Sequence, residues 1–205
     1  MTLGDYLRPL GVRVAVAGKT HVEADRSGMR RLGIDPASAS GLLAAQGGFE
    51  PYDRDDGIWP PGFSDESHHY TQYLRKQGYD GGNPWHDHAN SALGANGEIL
   101  SGWNMRYAGL PARVAEADSE TPYMTRRAIE FMEQSGEQPW VLHLSYIKPH
   151  WPYVAPAPYH AMYSVDDVPA AKRSARELDN AHPVLQAFAR PRSAGTSPAT
   201  RCERP

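Results

Sequence analysis

The sequence predicts an α/β fold with a mostly parallel central sheet, and two hydrophobic segments carry that prediction. Residues 12–17 and 140–146 are short apolar runs of the kind that form buried strands. A helical pattern over 121–136 leads into the second run, and a helix that feeds a buried strand is half of a βαβ unit. Because such units join parallel strands, we expect both runs in one sheet.

The chain begins with a predicted helix over 3–10 and a predicted strand over 12–17. Thr2 is a favourable N-cap, three leucines recur at helical spacing, and Gly11 suits the position just past a helix end. Three valines then alternate with other residues, which favours a largely buried strand that ends at Gly18.

The stretch 25–114 has no regular hydrophobic period, apart from a helical pattern over 68–77. Glycine and proline pairs interrupt it at 47–48, 60–61 and 81–82. Long stretches of this kind usually lie over a functional face. We therefore expect 25–114 to be a loop-rich insertion within one domain that covers 1–188.

The second helix and strand have clear boundaries in the sequence. Thr121 is an N-cap residue, Pro122 suits the first helical position, and the pattern runs to Gly136. The strand over 140–146 follows, and the loop 147–153 leaves its end.

Composition excludes several classes of function. The 205 residues are 22% charged and 40% hydrophobic with a formal net charge of -3, and they contain neither a basic face for nucleic acid nor a membrane-length apolar stretch. The single cysteine excludes a disulfide framework, and no secretion signal is visible at the start. We therefore expect a cytoplasmic protein with a small-molecule ligand.

The tail 189–205 is expected to be disordered because it has almost no apolar residues to bury. Its bias towards Arg, Pro, Ala, Ser and Gly also suits out-of-frame translation of GC-rich DNA. That origin is a hypothesis, which resequencing of the gene tests.

Four side chains that favour anions follow the two predicted strands. Lys19 and His21 leave the first strand, and Lys148 and His150 leave the second. Because the outgoing loops of parallel strands lie along one sheet edge, we expect the four to converge. Two ammonium groups and two imidazoles suit a tetrahedral oxyanion, and a histidine can protonate a leaving group. Taken singly, a lysine such as Lys19 is more often a solvated surface residue than a ligand, and a histidine at a strand end is more often structural than catalytic.

Strings at both strand ends resemble motifs of sulfatases. Gly18-Lys19-Thr20-His21 resembles the Gly-Lys-Trp-His motif with Thr20 in place of tryptophan, and Pro149-His150-Trp151-Pro152 resembles the Pro-His-x-Pro loop. Further similar strings are Asp5-Tyr6-Leu7-Arg8, Asn83-Pro84-Trp85-His86-Asp87 and Glu120-Thr121-Pro122-Tyr123. Over 2–188 the chain looks most like the phosphonate monoester hydrolase and arylsulfatase branch of the alkaline-phosphatase superfamily.

The resemblance implies a partial alkaline-phosphatase-like three-layer sandwich, truncated at both ends. It implies catalytic roles for His21 and His150 and substrate binding by Lys19 and Thr20, with Lys19 and His21 beside the nucleophile. Lys148 has no counterpart in the family motif, so its assignment to substrate binding depends on its position alone.

The resemblance also implies a formylglycine nucleophile and a divalent metal in an intact relative. The nucleophile comes from a Cys-x-Pro-x-Arg motif, and Cys202 does not stand in one. The clusters 68–69 and 86–88 hold groups that ligate metals, but neighbouring residues point apart and no third ligand is spaced nearby. We therefore expect this chain to ligate no metal.

Two functions remain open from the sequence. One is an inactive part of a hydrolase of sulfate esters, phosphodiesters or phosphonate monoesters, which could grip an anion without forming a covalent intermediate. The alternative is a non-catalytic oxyanion-binding or regulatory module that folds by itself. Unpaired sheet edges would make the first poorly soluble, whereas the second would unfold in one sharp transition.

Overall fold

The structure is a computed structural model that describes residues 2–20, 24–57, 68–170, 172, 174, 176, 179 and 181–189. The predicted site residue His21 and residues 190–205 of the predicted disordered tail lie outside the described residues. The helices are α1 (Leu3–Leu7), α2 (Arg26–Arg31), α3 (Ala39–Ala45), α4 (His69–Lys76), α5 (Glu120–Ser135) and α6 (Pro183–Ala189). The strands are β1 (Arg13–Gly18), β2 (Glu50–Arg54), β3 (Ser91–Leu93), β4 (Ile99–Ser101) and β5 (Trp140–Ser145). In the described part of the chain, none of the helices is long and apolar enough to span a membrane.

A parallel sheet with strand order β2-β1-β5 forms the centre of the described structure. The β1 strand pairs in parallel with both neighbours, and its last residue, Gly18, stands opposite Arg54 of β2 and Ser145 of β5. The valines and alanines of β1 are buried, as expected for a strand covered on both faces. The predicted α/β fold with a parallel sheet, and the pairing of the two predicted strands within it, are confirmed.

The α5 helix packs on all three strands of this sheet. The buried Phe131 lies at the contact, with ring centroids 5.2 Å from Tyr52 of β2 and 5.9 Å from Trp140 of β5. The guanidinium of Arg13 from β1 lies 4.4 Å from the Phe131 centroid. Edge-on aromatic contacts of this kind fix how a helix sits on a sheet.

The ends of α5 differ slightly from those that the sequence predicts. The N-cap is Ser119, whose backbone is extended and whose hydroxyl donates to the carbonyl of Glu116 at 2.8 Å, so Thr121 lies inside the first turn. Gly136 follows the helix end with a φ of 52°, as expected for a C-terminal glycine.

The stretch 25–114 is more regular than the sequence predicts. It contains α2, α3, α4, a π-helical turn over Trp85–Ala89 and the antiparallel β3–β4 pair, and it supplies β2 to the central sheet. The expectation of a mostly irregular stretch is therefore corrected, whereas the insertion boundary at 25–114 stays a prediction. The β2 strand has the sequence Glu-Pro-Tyr-Asp-Arg, which lacks an apolar pattern and carries a proline that weakens strand prediction.

A buried aromatic and aliphatic core joins this middle stretch to α5 and to the loop after β5. Such a continuous core fixes the loops that leave the sheet edge. Its fully buried members include Tyr70, Leu74, Trp85, Ala92 and Val154.

Candidate oxyanion-binding site

Three loops leave the carboxyl edge of the central sheet side by side. The strands β2, β1 and β5 are parallel and end opposite one another, so their outgoing segments emerge at the same edge. Open α/β sheets bind ligands outside this edge. The segments carry the predicted site residues Lys19 and Thr20 after β1, and Lys148 and His150 after β5.

The turn after β1 depends on a glycine. Gly18 has a φ of 90°, and a Cβ atom there would lie 1.8 Å from the carbonyl oxygen of Ser145. Only glycine tolerates both this conformation and this approach. The amide of Lys19 donates to the same carbonyl at 3.0 Å, which directs the loop across the end of β5.

An aspartate and an arginine after β2 fix the backbone of this turn. Asp56 Oδ1 accepts the amide of Thr20 at 3.1 Å, and Arg54 Nη2 donates to both Asp56 oxygens at 2.8 and 2.9 Å. Arg54 Nε also donates to the carbonyl of Gly18 at 3.0 Å. Sequence analysis missed both residues, although the acidic run that follows β2 could have indicated a loop-holding carboxylate.

The polar ends of Lys19 and Thr20 are shielded from solvent. Among the described residues, neither the Lys19 ammonium nor the Thr20 hydroxyl has a hydrogen-bond partner. A shielded cation needs a counter-charge or acceptors to offset its lost hydration. This corner of the sheet edge therefore suits an anion.

His150 is exposed, and a hydrogen bond at one ring nitrogen fixes the orientation of its imidazole. Its Nδ1 lies 2.5 Å from the carbonyl oxygen of Trp151, which can only accept, so Nδ1 carries the proton. Its backbone amide donates to the carbonyl of Ile147 at 2.8 Å. Nε2 is then the atom that can accept a hydrogen bond when the ring is neutral and donate one when it is protonated.

Lys148 is tied into the protein by its ammonium. Nζ donates to Oδ1 of Asn90 at 2.9 Å and to the carbonyl of Pro152 at 2.7 Å, and it lies 3.9 Å from Oε2 of Glu120. Burial lowers the pKa of Lys148, and the Glu120 and Asp55 carboxylates oppose that shift. Two of its three N–H donors are used by Asn90 and Pro152.

Glu120, in the first turn of α5, is the buried acid of the site. Its Oε1 accepts the indole N–H of Trp85 at 2.6 Å. Burial, together with the negative charge of Asp55, raises the pKa of Glu120 to about 7. The sequence places Glu120 in the family-like string Glu120-Thr121-Pro122-Tyr123 but indicates no role for it, because an acid in a first helical turn is ordinarily exposed and favoured by the helix dipole.

His68 and His69 carry groups that can ligate a metal, but each lies close to a carboxylate of the protein. His68 Nε2 lies 3.4 Å from Asp55, and His69 Nδ1 lies 3.3 Å from Asp53. Asp53 also accepts from the hydroxyl of Tyr123 at 2.9 Å.

The second histidine cluster is also used in internal contacts. The indole of Trp103 donates to His86 Nδ1 at 3.0 Å, and His88 Nε2 lies 2.7 Å from the carbonyl oxygen of Asp80. Within the described ranges, no group of three or more His, Cys, Asp or Glu side chains is arranged to hold a metal ion.

A cleft of about 510 Å³ adjoins the loop after β5. Lys148 and Pro149 line it on one side, and Glu120 lines it at the start of α5. Its other walls are mostly apolar and include Val114, Val154, Pro122, Pro156, Tyr153 and Tyr159. Ligand pockets typically have this size and combine apolar walls with a few polar groups.

Parallel pairing brings four of the predicted site residues to one edge: Lys19, Thr20, Lys148 and His150. His21 lies outside the described residues. That these residues hold one anion together stays a prediction.

Comparison with known proteins identifies a sequence relative for part of the chain. No family model matches the chain. It is 38% identical over 80 residues to PehA, a multifunctional alkaline phosphatase superfamily protein of Trinickia caryophylli. The match covers 38% of this chain and 16% of that protein.

Two solved structures are similar over most of the chain. The phosphonate monoester hydrolase of Agrobacterium radiobacter matches 92% of this chain and 34% of its own, with a TM-score of 0.61 and 24% identity. The phosphonate monoester hydrolase SpPMH from Silicibacter pomeroyi matches 84% and 30%, with a TM-score of 0.60 and 23% identity. The chain thus spans about a third of the length of these structures. The predicted resemblance to the alkaline-phosphatase superfamily is confirmed, and the chain has the α/β fold of its phosphonate monoester hydrolases.

Proposed function

We propose that this chain carries the oxyanion-binding side of a hydrolase site that acts on phosphonate monoesters, phosphate mono- and diesters or sulfate esters. The observation that carries the proposal is the shielded ammonium of Lys19 at the sheet edge, without a partner among the described residues. It lies on the loop next to the one that carries His150. A tetrahedral anion would supply the missing counter-charge.

Each predicted residue has a role in this proposal. Lys19 and Thr20 bind oxygens of the anion from the β1 side, and His21 belongs to the same loop. His150 donates a proton from Nε2 to the leaving oxygen, because its Nδ1 is already engaged by Trp151. Lys148 adds positive charge at the opposite side of the site.

The resemblance implies a divalent metal and a formylglycine in an intact relative. The described carboxylates are not assigned to a metal in this proposal, because Asp53, Asp55 and Glu120 are each engaged by a protein partner at one oxygen. The proposal therefore assigns anion binding and proton transfer to these residues and no metal-dependent step. The chain alone is proposed to have negligible turnover, since its one cysteine, Cys202, is not in the nucleophile motif.

The cleft beside Lys148 is proposed to take the organic group of the ester. Pro149, which directly precedes His150, is one of the apolar residues that line this cleft. Burial of an alkyl or aryl group there would be favourable by roughly 25 cal/mol per Å² of apolar area. The substrates are accordingly small esters, and nucleic acid and membrane surfaces are not expected partners. A cytoplasmic location belongs to the same proposal, and cell fractionation tests it.

Calorimetric titration of the full chain tests the anion site. We expect saturable binding of inorganic phosphate or methylphosphonate, and binding about tenfold or more weaker in Lys19→Met, because a charge-assisted contact is lost. The matched control is Lys76→Met, at an exposed lysine in the last turn of α4, which should bind like the wild type. Absence of binding, or an equal loss in both variants, would contradict the proposal.

The alternative is a non-catalytic oxyanion-binding module. The buried core that joins the middle stretch to α5 favours it, because such a core can support independent folding. The module predicts one sharp unfolding transition and metal-independent phosphate binding. Hydrolysis of aryl sulfates or phenylphosphonate esters at the rate of an intact relative would exclude both the module and the inactive hydrolase part.

A further inference from the structure

We infer that Lys148 is a positioning residue that fixes the loop carrying His150, through hydrogen bonds to Pro152 at the end of that loop and to Asn90 in the core. The catalytic meaning of this inference rests on the proposed function, whereas the structural part does not. It goes beyond substrate contact because the lysine acts on the imidazole through the backbone.

The side chain of Lys148 closes a small hydrogen-bonded ring that includes the backbone of His150. Lys148 precedes the histidine by two residues, and its ammonium donates to the carbonyl of Pro152, two residues after it, at 2.7 Å. The amide of His150 also donates to the carbonyl of Ile147, the residue just before the ring. The contact between Nδ1 of His150 and the carbonyl of Trp151 then sets the plane of the imidazole. Each bond limits where Nε2 can point.

The ring is anchored to a rigid part of the fold by the second donor of the ammonium. Oδ1 of Asn90 accepts this hydrogen bond at 2.9 Å. Asn90 is fully buried and directly follows the π-helical turn. The carbonyl of Asn90 accepts the amide of Gly102 at 3.1 Å, and its side-chain amide approaches the carbonyl of Trp85 at 3.5 Å. The anchor is therefore held from both its backbone and its side chain.

The cost of burying the ammonium is offset in part by two neighbouring acids, Asp55 and Glu120. The Glu120 carboxylate is 3.9 Å from Nζ and is itself held by the indole of Trp85. Two donors of Lys148 are hydrogen-bonded and the Glu120 carboxyl group lies within 3.9 Å, so the protein itself provides partners for this cation. A lysine that served only to contact substrate would not need three partners within the fold.

NMR spectroscopy of the isotope-labelled full chain tests the inference with Lys148→Met and Lys148→Arg. In Lys148→Met we expect amide hydrogen exchange at His150 to rise about tenfold or more, the ring ¹⁵N shifts of His150 to change, and phosphate affinity to fall about tenfold. Lys148→Arg keeps the charge and donors, and it should restore part of each. Lys76→Met and the ring of His143 serve as controls and should not change.

Each outcome decides the inference. Weaker phosphate binding with unchanged His150 exchange and ring shifts would mean direct contact between Lys148 and the anion, and would overturn the positioning role. Unchanged affinity with unchanged exchange would overturn it as well. If the wild type binds no phosphate, the proposed function fails, while exchange at His150 still tests the positioning role. Should Lys148→Met not fold, Lys148→Gln, with a shorter donor, is expected to show the same loosening, and its absence would count against the inference.

Discussion

Lys19 places a positive charge where the described protein offers no partner for it. A shielded cation without a partner costs stability, and in the proposed function a bound anion would offset that cost. Such a cost is typical of groups whose geometry is set by binding and not by folding. The consequence can be measured without any substrate.

Lys19→Met is expected to raise the free energy of unfolding by about 1–2 kcal/mol in anion-free buffer, since it removes an uncompensated shielded charge. Urea denaturation of the full chain measures this. Added phosphate should stabilise the wild type and leave Lys19→Met unaffected. A variant less stable than the wild type would mean that the ammonium already has a stabilising partner.

The titration of Glu120 should lower the free energy of unfolding as the pH rises towards neutrality. Burial and the Asp55 carboxylate raise its pKa to about 7 from 4.5, although Lys148, Trp85 and His68 act in the opposite direction. The folded state therefore binds this proton more tightly than the unfolded chain does. Its stabilising effect is complete below the unfolded pKa and is lost as the pH rises through the folded pKa.

We expect the wild type to lose about 2 kcal/mol of unfolding free energy relative to Glu120→Gln between about pH 5 and about pH 8. Denaturation curves of both proteins across this range give the difference, which removes the contribution of His68 and other titrating groups. A difference that is constant with pH would show that Glu120 is ionised throughout.

Sequence patterns indicate the loop residues of the candidate site but not the residues that support them. Lys19 and His150 are candidates because each follows an apolar strand within a recognisable string. Asp56 and Asn90 act across 36 and 58 residues of chain, respectively. No local pattern encodes such distant hydrogen bonds, so these supports could not be predicted.

At the level of elements, the contact of α5 with the sheet organises the fold. Phe131 is fully buried between Tyr52 of β2 and Trp140 of β5, beneath the guanidinium of Arg13. The strands and the helix meet at this one ring. Loss of the ring should therefore loosen both outer strands together.

Phe131→Ala is expected to lower the free energy of unfolding by about 3–5 kcal/mol, because it leaves a cavity in the core. Met132→Ala, at the neighbouring exposed position, should change it by less than about 1 kcal/mol. Chemical denaturation compares the two variants. Equal small effects would mean that α5 is not docked through Phe131.

Elements with an apolar period were predicted well, and one polar strand was missed. The β1, α5 and β5 segments follow their hydrophobic patterns to within two residues at each end. The β2 strand instead depends on distant partners, since its Asp53 is buried by Tyr123 and Arg127 of α5. Tertiary contacts of this kind override local propensity.

At the scale of the molecule, the central sheet ends in β5, which pairs with β1 alone in the described part of the chain. Trp140 on this strand is 39% exposed, and its neighbours are only half-buried. A strand edge with partly exposed apolar side chains promotes association. The matched structures are about three times as long as the chain.

We expect the purified chain to self-associate as its concentration rises. Sedimentation velocity over a concentration series should give an increasing mean sedimentation coefficient, because the apolar edge becomes buried between copies. A single monomeric boundary at every concentration, with one sharp thermal transition, would favour the self-contained binding module instead.

The most direct measurement is a crystal structure of the chain soaked in tungstate, a tetrahedral oxyanion whose metal gives a strong anomalous signal. We expect one anomalous peak at the carboxyl edge of the sheet, with oxygens about 2.7–3.2 Å from Lys19 Nζ and from His150 Nε2. A well-ordered structure in which those two atoms open onto separate surfaces, with no peak between them, would contradict this prediction.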